Sequence, residues 1–421
     1  MPLAFKWFCS HVVLRDMKLR RRILFSPGQL LRQAGSVVLY GVLVHWRFMP
    51  RWLCSGLDLL GLVAGSEGMG CIGFPVHPVV EVTRRCNLRC IQCHAESSDV
   101  QQEELSFEQM RKLLRELAAQ PEFKMVVFSG GEPLLRDDIV ELCEYASGWG
   151  LWPVIATNGT LLDAALARRL RRAGVCGVAV GLDGDCPAVH DEIRGEQGAF
   201  ARAIEGCIAA REAGIPLQIN TTLMQPNYRR FAEVVRLSEN LGARVMLAYF
   251  VSPCGRGLRN SGIMLTPEQY ESMLIQIARL QRHSRLIIEP TCAPNYWAML
   301  GASNWPSSLA VRLLGPVFFH GCVAGTGLLY VRADGEALAC PFLPISAGNV
   351  LKTTVSKLWR EGEIFKSLRA LKREPTAERC SNCRFYDVCG GCRARAFWAQ
   401  GDFAAEDPFC FLGDNDQLDQ V

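Results

Sequence analysis

The sequence predicts an α/β protein whose central part is built from parallel strands joined by helices. Over residues 76–285, six apolar, β-rich runs alternate with segments in which apolar residues recur at helical spacing. The strand-like runs are 78–83, 124–129, 152–157, 175–182, 215–222 and 244–251. The helical segments are 105–119, 137–148, 163–173, 199–213, 227–241 and 266–281. Strands that alternate with helices in this way pair in parallel through right-handed crossovers.

Local signals support two of these helices. Ser106 and Gln109 form a capping box at the start of one helix, and Thr266 and Gln269 form a second, with Pro267 at the first helical position. In barrel-like α/β folds the functional side chains lie on loops that follow the carboxyl ends of the strands. We therefore expect a site on the loops that begin at Thr83, Ser129, Thr157, Leu182, Thr222 and Val251.

The segments on either side of this region differ from it in composition. Residues 1–75 hold nine Lys or Arg against three Asp or Glu and are rich in apolar side chains. They predict a helical extension that covers the main domain or contacts a membrane surface or a partner. Residues 286–421 are rich in Gly, Pro and Cys, and a hairpin is expected at 328–338. We expect three domains: 1–75, 76–285 and 286–421.

Composition excludes several classes of protein. With 421 residues, 49% hydrophobic and 21% charged, the chain is neither disordered nor of low complexity. A net charge of +4 gives no indication of nucleic-acid binding, and no apolar run reaches the roughly 18 residues of a spanning helix. Nineteen cysteines in so long a chain favour metal ligands and reduced thiols over a disulfide scaffold. A cytoplasmic location is therefore expected.

Three cysteines follow the first predicted strand with the spacing CxxxCxxC. Cys86, Cys90 and Cys93 can hold three irons of a [4Fe–4S] cluster and leave the fourth iron open to another ligand. Other interpretations are a zinc site with a distant fourth ligand, buried thiols, or a c-type haem attachment site, because residues 90–94 read CxxCH.

The loop after the second predicted strand favours the cluster. It reads Ser-Gly-Gly-Glu-Pro over residues 129–133. Paired glycines permit close approach of the backbone to a ligand, and the carboxylate beside them can hold an ammonium group. One strand after three thiols, this combination indicates a cluster that binds a small molecule with an amino group.

These motifs resemble those of the radical S-adenosylmethionine (SAM) superfamily over residues 78–255. The resemblance implies a partial (β/α)6 barrel in which Cys86, Cys90 and Cys93 bind a [4Fe–4S] cluster whose open iron chelates SAM. It implies that an electron, supplied by a ferredoxin or flavodoxin, cleaves SAM to a 5′-deoxyadenosyl radical that abstracts a substrate hydrogen. The rival hypothesis of another class is an iron–sulfur electron carrier without enzymatic activity.

The resemblance also assigns residues to SAM binding. The predicted contacts at the strand ends are Gly130, Gly131, Glu132, Thr157, Asn158, Asp183 and Asn220. The first three would hold the amino group. Arg194, in the stretch His-Asp-Glu-Ile-Arg-Gly, would meet the SAM carboxylate as a charge-assisted pair. Gln92 stands where the family usually has an aromatic residue that packs on the adenine.

A second group of cysteines resembles the SPASM domain, which carries auxiliary iron–sulfur clusters. CxxC pairs of this kind also suit zinc. The resemblance implies one cluster held by Cys380, Cys383, Cys389 and Cys410. It implies another on Cys322, Cys340 and Cys392. The fourth ligand of the second set is open between Cys292, an exogenous ligand and the substrate, and the number of auxiliary clusters is one or two.

The substrate class is suggested by the motifs of the C-terminal half. The stretch 389–410 and the turn 253–257 resemble the tetrapyrrole branch of this family, which includes enzymes of sirohaem-derived haem biosynthesis. The C-terminal signature also resembles peptide-modifying enzymes, including the pyrroloquinoline-quinone and mycofactocin maturases. Cys254 and Arg256, after the sixth strand, are candidates for substrate contacts. Arg256 would bind a substrate carboxylate through two hydrogen bonds.

Overall fold

A central sheet organises the protein, for which we use a computed structural model that describes residues 77–97, 103–123, 125–281, 283–296, 298–299 and 321–412. The predicted extension at 1–75 lies outside the described residues. All six predicted strands are present: β1 His77–Thr83, β2 Met125–Gly130, β3 Trp152–Thr157, β4 Gly177–Gly181, β5 Leu217–Leu223 and β6 Val245–Phe250. Four more complete the sheet: β7 Ile287–Thr291, β8 Leu328–Val331, β9 Glu336–Leu338 and β10 Ser346–Asn349.

The strand order is β10-β9-β8-β1-β2-β3-β4-β5-β6-β7. From β1 to β7 every neighbouring pair is parallel, as the alternation of strands and helices predicts. Strand β8 pairs in parallel with β1, and β9 pairs in antiparallel fashion with both β8 and β10. The predicted hairpin at 328–338 is therefore confirmed, and it extends the sheet beside β1.

Helices follow the strands and cover one face of the sheet. In the described residues they are α1 Phe107–Ala118, α2 Ile139–Gly148, α3 Ala164–Arg172, α4 Pro187–Arg194, α5 Ala199–Glu212, α6 Phe231–Leu241, α7 Gly255–Arg259, α8 Pro267–Gln281, α9 Val355–Glu361, α10 Glu363–Arg373, α11 Glu378–Ser381, α12 Tyr386–Cys389 and α13 Arg393–Gln400. Short 3-10 turns lie at Pro133–Leu135, Tyr228–Arg230 and Ser261–Ile263. The capping box at Ser106 is present. Within the described residues, no helix has the length and apolarity needed to cross a bilayer.

The two faces of the sheet have separate cores. Val80 and Val82 of β1 belong to the large core that the helices cover. A second cluster includes Val79 and Val127. Among the described residues its side chains come from the strands and from the loop between α3 and β4, with none from a helix, so it marks the inner face. Because side chains alternate along a strand, Glu81 points to the same inner face as Val79. This inner face carries the site.

Candidate functional site

The three cysteines of the first motif lie together in the loop between β1 and α1, residues 84–97, which we call the cluster loop. Cys86 is buried, and Cys90 and Cys93 are half-buried. Burial, with smaller contributions from the nearby Cys90 and Cys93, raises the pKa of Cys86 to about 11. Thiols in such surroundings ionise only beside a strong positive charge, which a bound metal centre provides.

The Gly-Gly-Glu loop, residues 130–132, packs directly on the cluster loop. The backbone N–H of Gly131 donates to the carbonyl of Thr83 at 2.8 Å, and that of Glu132 donates to Arg85 at 2.8 Å. A Cβ on Gly131 would stand 2.1 Å from the Arg85 carbonyl oxygen. Gly130 has a φ of +132°, which other residues rarely adopt. The glycines therefore allow two loops to meet, and their contact with SAM stays a prediction.

Glu132 connects this loop to the end of β3. Its side chain is fully buried, and Oε1 accepts hydrogen bonds from the Thr157 hydroxyl at 2.6 Å and the Leu134 N–H at 3.0 Å. Oε2 accepts from the Asn158 N–H at 2.7 Å. Burial raises the pKa of Glu132, and these hydrogen bonds oppose the increase. Three of the residues predicted for SAM binding are thus brought into one network.

A second network joins the predicted Asp183 and Arg194. Arg194 Nη2 lies 2.9 Å from Asp183 Oδ2, and Nη1 lies 3.8 Å from the Cys90 sulfur. Gln92 Nε2 also donates to Asp183 Oδ2 at 2.6 Å. Burial raises the pKa of Asp183, and the Arg194 charge opposes it. A Cβ on Gly181 would stand 2.4 Å from Arg194 Nη2, so this glycine makes room for the guanidinium.

Asn220 lies apart from both networks in its hydrogen bonding. Its Oδ1 accepts from Gln218 Nε2 at 2.7 Å, a neighbour on the same strand. Its backbone carbonyl accepts from the Leu182 N–H at 2.9 Å. A contact with SAM remains a prediction for this residue.

Arg256 holds the cluster loop from the opposite side. Its Nε donates to the carbonyl of Cys90 at 2.8 Å, and Nη1 donates to the carbonyl of Ser97 at 2.8 Å. Its backbone N–H also donates to the Cys93 carbonyl at 2.9 Å. The guanidinium is therefore already engaged with the protein, which a reading of the sequence could not show. Its predicted contact with a substrate carboxylate stays a prediction.

The C-terminal cysteines form two neighbourhoods that match the sets implied by the sequence. Set A contains Cys380, Cys383, Cys389 and Cys410, and set B contains Cys292, Cys322, Cys340 and Cys392. Burial raises the pKa of Cys389 and Cys410 in set A and of Cys340 in set B, and other members of the same set contribute to each increase. Cys292 thus lies with set B, and it has a positive φ of +61°. In the described part of the chain, no three His, Cys, Asp or Glu side chains are grouped closely enough to hold a single metal ion.

A buried ion pair connects the two sets. Arg395 donates to Asp407 through Nε at 2.8 Å and through Nη2 at 2.7 Å, and both side chains are almost fully buried. Arg395 Nη1 donates to the carbonyl of Cys292 at 2.8 Å. Asp407 accepts from the N–H of Cys392 at 2.8 Å, and its own carbonyl accepts from the N–H of Cys410 at 2.9 Å. Both residues lie in the stretch 389–410 that resembles the tetrapyrrole branch, but no sequence pattern predicted that they pair.

A cavity of about 610 Å³ lies between the cluster loop, strands β8 and β9, and the C-terminal region. Its wall includes polar and charged residues together with rings: Glu81, Arg84, His94, Cys254, Tyr330, Arg332, Phe342 and Trp398. Cys254 is buried, and burial raises its pKa to about 12, with Cys93 and Cys392 adding to the effect. This thiol therefore lies between the cluster loop and set B. Glu81 and Tyr330 were missed from the sequence, although alternation along β1 could have placed Glu81 inside.

Comparison with known proteins identifies the family. The family model of the radical SAM superfamily matches residues 80–238. The AdoMet-dependent heme synthase of Methanosarcina barkeri is 35% identical over 78% of this chain and 94% of its own. The chain belongs to the radical SAM superfamily. The family model of the SPASM iron–sulfur cluster-binding domain matches residues 322–384.

Other members of the superfamily are similar at lower identity. The Fe-coproporphyrin III synthase of Methanosarcina barkeri is 33% identical over 80% of this chain and 88% of its own. The PqqA peptide cyclase of Bradyrhizobium diazoefficiens is 28% identical over 81% of this chain and 87% of its own. Among solved structures, Streptococcus suis SuiB bound to S-adenosylmethionine superposes with a TM-score of 0.65 at 16% identity, over 89% of this chain and 86% of SuiB. That likeness confirms the fold.

Membership of the radical SAM and SPASM families establishes the cofactors. The enzyme uses a [4Fe–4S] cluster and SAM, and its SPASM domain binds iron–sulfur. The donor set fits this group, because three neighbouring thiols stand beside a buried carboxylate and a buried guanidinium. Which individual side chains hold each cluster and SAM remains as predicted above.

Proposed function

We propose that this radical SAM enzyme acts on a tetrapyrrole and oxidises or removes one of its side chains. The observation that carries the proposal is the similarity to proteins named as heme synthases, which covers 94% of the length of one of them. Three such synthases share 33–35% identity with this chain over 78% of its length. The cavity beside the cluster loop supports the proposal.

The residues of the cluster loop and of the neighbouring strand ends would bind the cluster and orient SAM. When bound with SAM, the cluster would supply the electron for reductive cleavage of SAM and so the radical chemistry that removes a substrate hydrogen. Cys86, Cys90 and Cys93 would hold the cluster, and the Glu132 carboxylate would face the amino group of SAM. Arg194, fixed by Asp183, meets the SAM carboxylate. A ferredoxin or flavodoxin supplies the electron.

The cavity beside the cluster loop is large enough for a small-molecule substrate. Its volume of about 610 Å³ is typical of small-molecule sites. The rings of Phe342 and Trp398 offer flat apolar surface. Arg84 and Arg332 lie on the same wall, where Arg332 pairs with Asp334 at 3.0 Å. The wall also carries carboxylates, from Glu81, Glu96, Asp334 and Glu336. Cys254 lies on the same wall. A macrocycle that has a flat apolar face and polar side chains fits such a mixed wall better than a wholly apolar ligand does.

Oxidation of a side chain requires an electron acceptor. When a propionate side chain loses a hydrogen atom and then CO2, it becomes a vinyl group and releases one electron. Set B lies beside Cys254, which lines the cavity. We infer that the thiols of set B would hold a cluster close enough to the cavity to serve as this acceptor.

Peptide modification is the second candidate. The PqqA peptide cyclases are 28–29% identical to this chain, and SuiB has been solved with its precursor peptide. The sequence identity to the peptide cyclases is lower than the identity to the heme synthases, so we place peptide modification second.

Product analysis tests the proposal. Protein reconstituted without oxygen is incubated with SAM, dithionite and iron coproporphyrin III, and the porphyrin is analysed by mass spectrometry. We expect stepwise loss of CO2 together with 5′-deoxyadenosine, and neither product from Cys90→Ala. If 5′-deoxyadenosine forms while the porphyrin stays unchanged, the proposal of a tetrapyrrole substrate is rejected. This conclusion holds whether or not a PqqA-type peptide is modified in a parallel assay.

A further inference from the structure

His94 is a cavity residue that the reaction described above does not use. It follows Cys93 directly in the cluster loop, so the sequence there reads CxxCH. The side chain lines the cavity together with Glu81 and Tyr330. Glu81 lies on β1 and Tyr330 on β8, two adjacent parallel strands in which Val79 is in register with Tyr330.

A chain of hydrogen bonds determines which nitrogen of His94 carries the proton. The Tyr330 hydroxyl lies 2.5 Å from Glu81 Oε1 and 3.2 Å from His94 Nε2. The other oxygen of Glu81 accepts the Ala333 N–H at 3.1 Å. Since a carboxylate only accepts, the tyrosine proton goes to Glu81, and the phenol oxygen must accept from Nε2–H of His94. Nδ1 is then left with a lone pair.

The imidazole is also fixed in orientation. Its ring meets Phe342 edge-on at a centroid distance of 5.3 Å and Tyr330 at 6.2 Å. Over the described ranges of the chain, Nδ1 of His94 has no hydrogen-bond partner. A neutral imidazole that donates one N–H to an anchored partner and keeps the other nitrogen bare is the arrangement found at histidine metal ligands.

We propose that Nδ1 of His94 is an axial ligand to the iron of an iron tetrapyrrole bound in this cavity. The inference rests on the proposed function, since the substrate supplies the iron. Tyr330 and Glu81 act as positioning residues that set the tautomer and the ring angle. Ligation next to Cys93 holds the macrocycle beside the cluster loop, and it distinguishes a metallated substrate from a metal-free one.

Binding spectroscopy of the reconstituted holoenzyme tests this ligand. Ferric coproporphyrin III is titrated without SAM and followed by visible and electron paramagnetic resonance spectra, with metal-free coproporphyrin III in parallel. We expect a histidine-ligated iron signature in the wild type. His94→Ala loses that signature and binds the iron porphyrin at least about tenfold more weakly, while the metal-free porphyrin binds equally well to both. Tyr330→Phe weakens only the iron porphyrin, by roughly tenfold.

Two controls separate ligation from damage to the fold. His94→Gly should regain the signature on addition of imidazole, which occupies the vacated space and coordinates the iron. The exposed His283→Ala should behave as the wild type. An unchanged iron signature in His94→Ala overturns the inference and leaves the proposed function standing. Failure of the wild type to bind either porphyrin overturns the proposed function and this inference together.

Discussion

Glu132 shows how much of the site depends on single buried side chains. Its carboxylate accepts three hydrogen bonds, from the Thr157 hydroxyl and from two backbone N–H groups. Burial raises its pKa, which means that burial disfavours the ionised form. A cation such as an ammonium group would offset that cost. The residue is therefore matched to a positively charged ligand.

Replacing Glu132 by Gln should weaken SAM binding and leave the iron content unchanged. A hydrogen bond to a charged group contributes about 1.5–3 kcal/mol, so we expect the Kd to rise at least tenfold. Because the pKa is raised, the carboxylate becomes protonated at a higher pH than an exposed Glu, and wild-type affinity should fall as the pH is lowered through that range. Equilibrium dialysis with labelled SAM measures both effects.

The exposed Glu144→Gln on α2 is the matched control and should retain wild-type affinity at each pH. An equally steep pH dependence in Glu132→Gln would show that another group holds the amino group.

Gly131→Ala should separate the Gly-Gly-Glu loop from the cluster loop. The added Cβ would stand 2.1 Å from the Arg85 carbonyl oxygen, so backbone must move. We expect loss of 5′-deoxyadenosine formation and a lower iron content after reconstitution. Gly148→Ala, whose Cβ would meet nothing within 4 Å, is the control and should be neutral. Full activity of Gly131→Ala would contradict the packing described for these loops.

At the scale of elements, the C-terminal region is held together by the Arg395–Asp407 pair. Arg395 also lies over the rings of Tyr270 and Phe409, at 4.9 and 4.7 Å from their centroids. This packing joins α8 and α13 to the stretch that leads to Cys410. Helices α11 and α12 are only four residues long, so contacts of this kind, rather than helix propensity, stabilise the region.

Asp407→Asn should lower the stability of the protein strongly. It leaves the buried Arg395 without a counter-charge, a change that costs about 3–5 kcal/mol. Burial alone would raise the pKa of Asp407, but Arg395 and two backbone N–H groups hold it below its ordinary value. Its contribution is thus present above the ordinary Asp range and is lost as the pH falls through the lowered pKa.

Denaturant unfolding under anaerobic conditions measures this loss. The exposed Asp137→Asn serves as the control and should unfold like the wild type. Equal stability of Asp407→Asn and wild type would show that the pair contributes nothing net.

Cys292→Ala should remove one cluster selectively. If Cys292 completes set B, the variant should hold about four irons fewer per chain after reconstitution, while SAM cleavage without substrate persists. Iron analysis and electron paramagnetic resonance measure the change, and Cys176→Ala is the matched control. If Cys292→Ala holds as much iron per chain as the wild type, a group other than Cys292 is the fourth ligand of set B.

For the whole molecule, local patterns explain how much the sequence could predict. The six apolar runs were visible because each is continuous in sequence, and the two cysteine motifs were visible because their spacings are characteristic. Strand β7 was missed because Glu289 and Pro290 interrupt it, and β10, which reads Ser-Ala-Gly-Asn, lacks any bulky apolar residue. The pairing of β8 with β1 joins segments about 250 residues apart. No local pattern encodes such a contact.

In the site, too, features that are local in sequence could be predicted and long-range contacts could not. The residues Cys86, Cys90 and Cys93 are close together in sequence, so their spacing, together with the loop at 129–133, was enough to predict a cluster. The Glu81–Tyr330 contact depends on the tertiary fold. Arg256 was correctly placed near the site by its loop position, but only the structure shows that its guanidinium holds the cluster loop.

The central claim is that SAM-derived radical chemistry takes a hydrogen from a tetrapyrrole side chain. Iron coproporphyrin III carrying deuterium on its propionate side chains tests it most directly, with mass spectrometry of the 5′-deoxyadenosine formed under anaerobic, reducing conditions. We predict deuterium in the nucleoside from the wild type and no nucleoside from Cys90→Ala. Nucleoside formed in normal yield without deuterium, from labelled porphyrin known to be bound, would contradict the account.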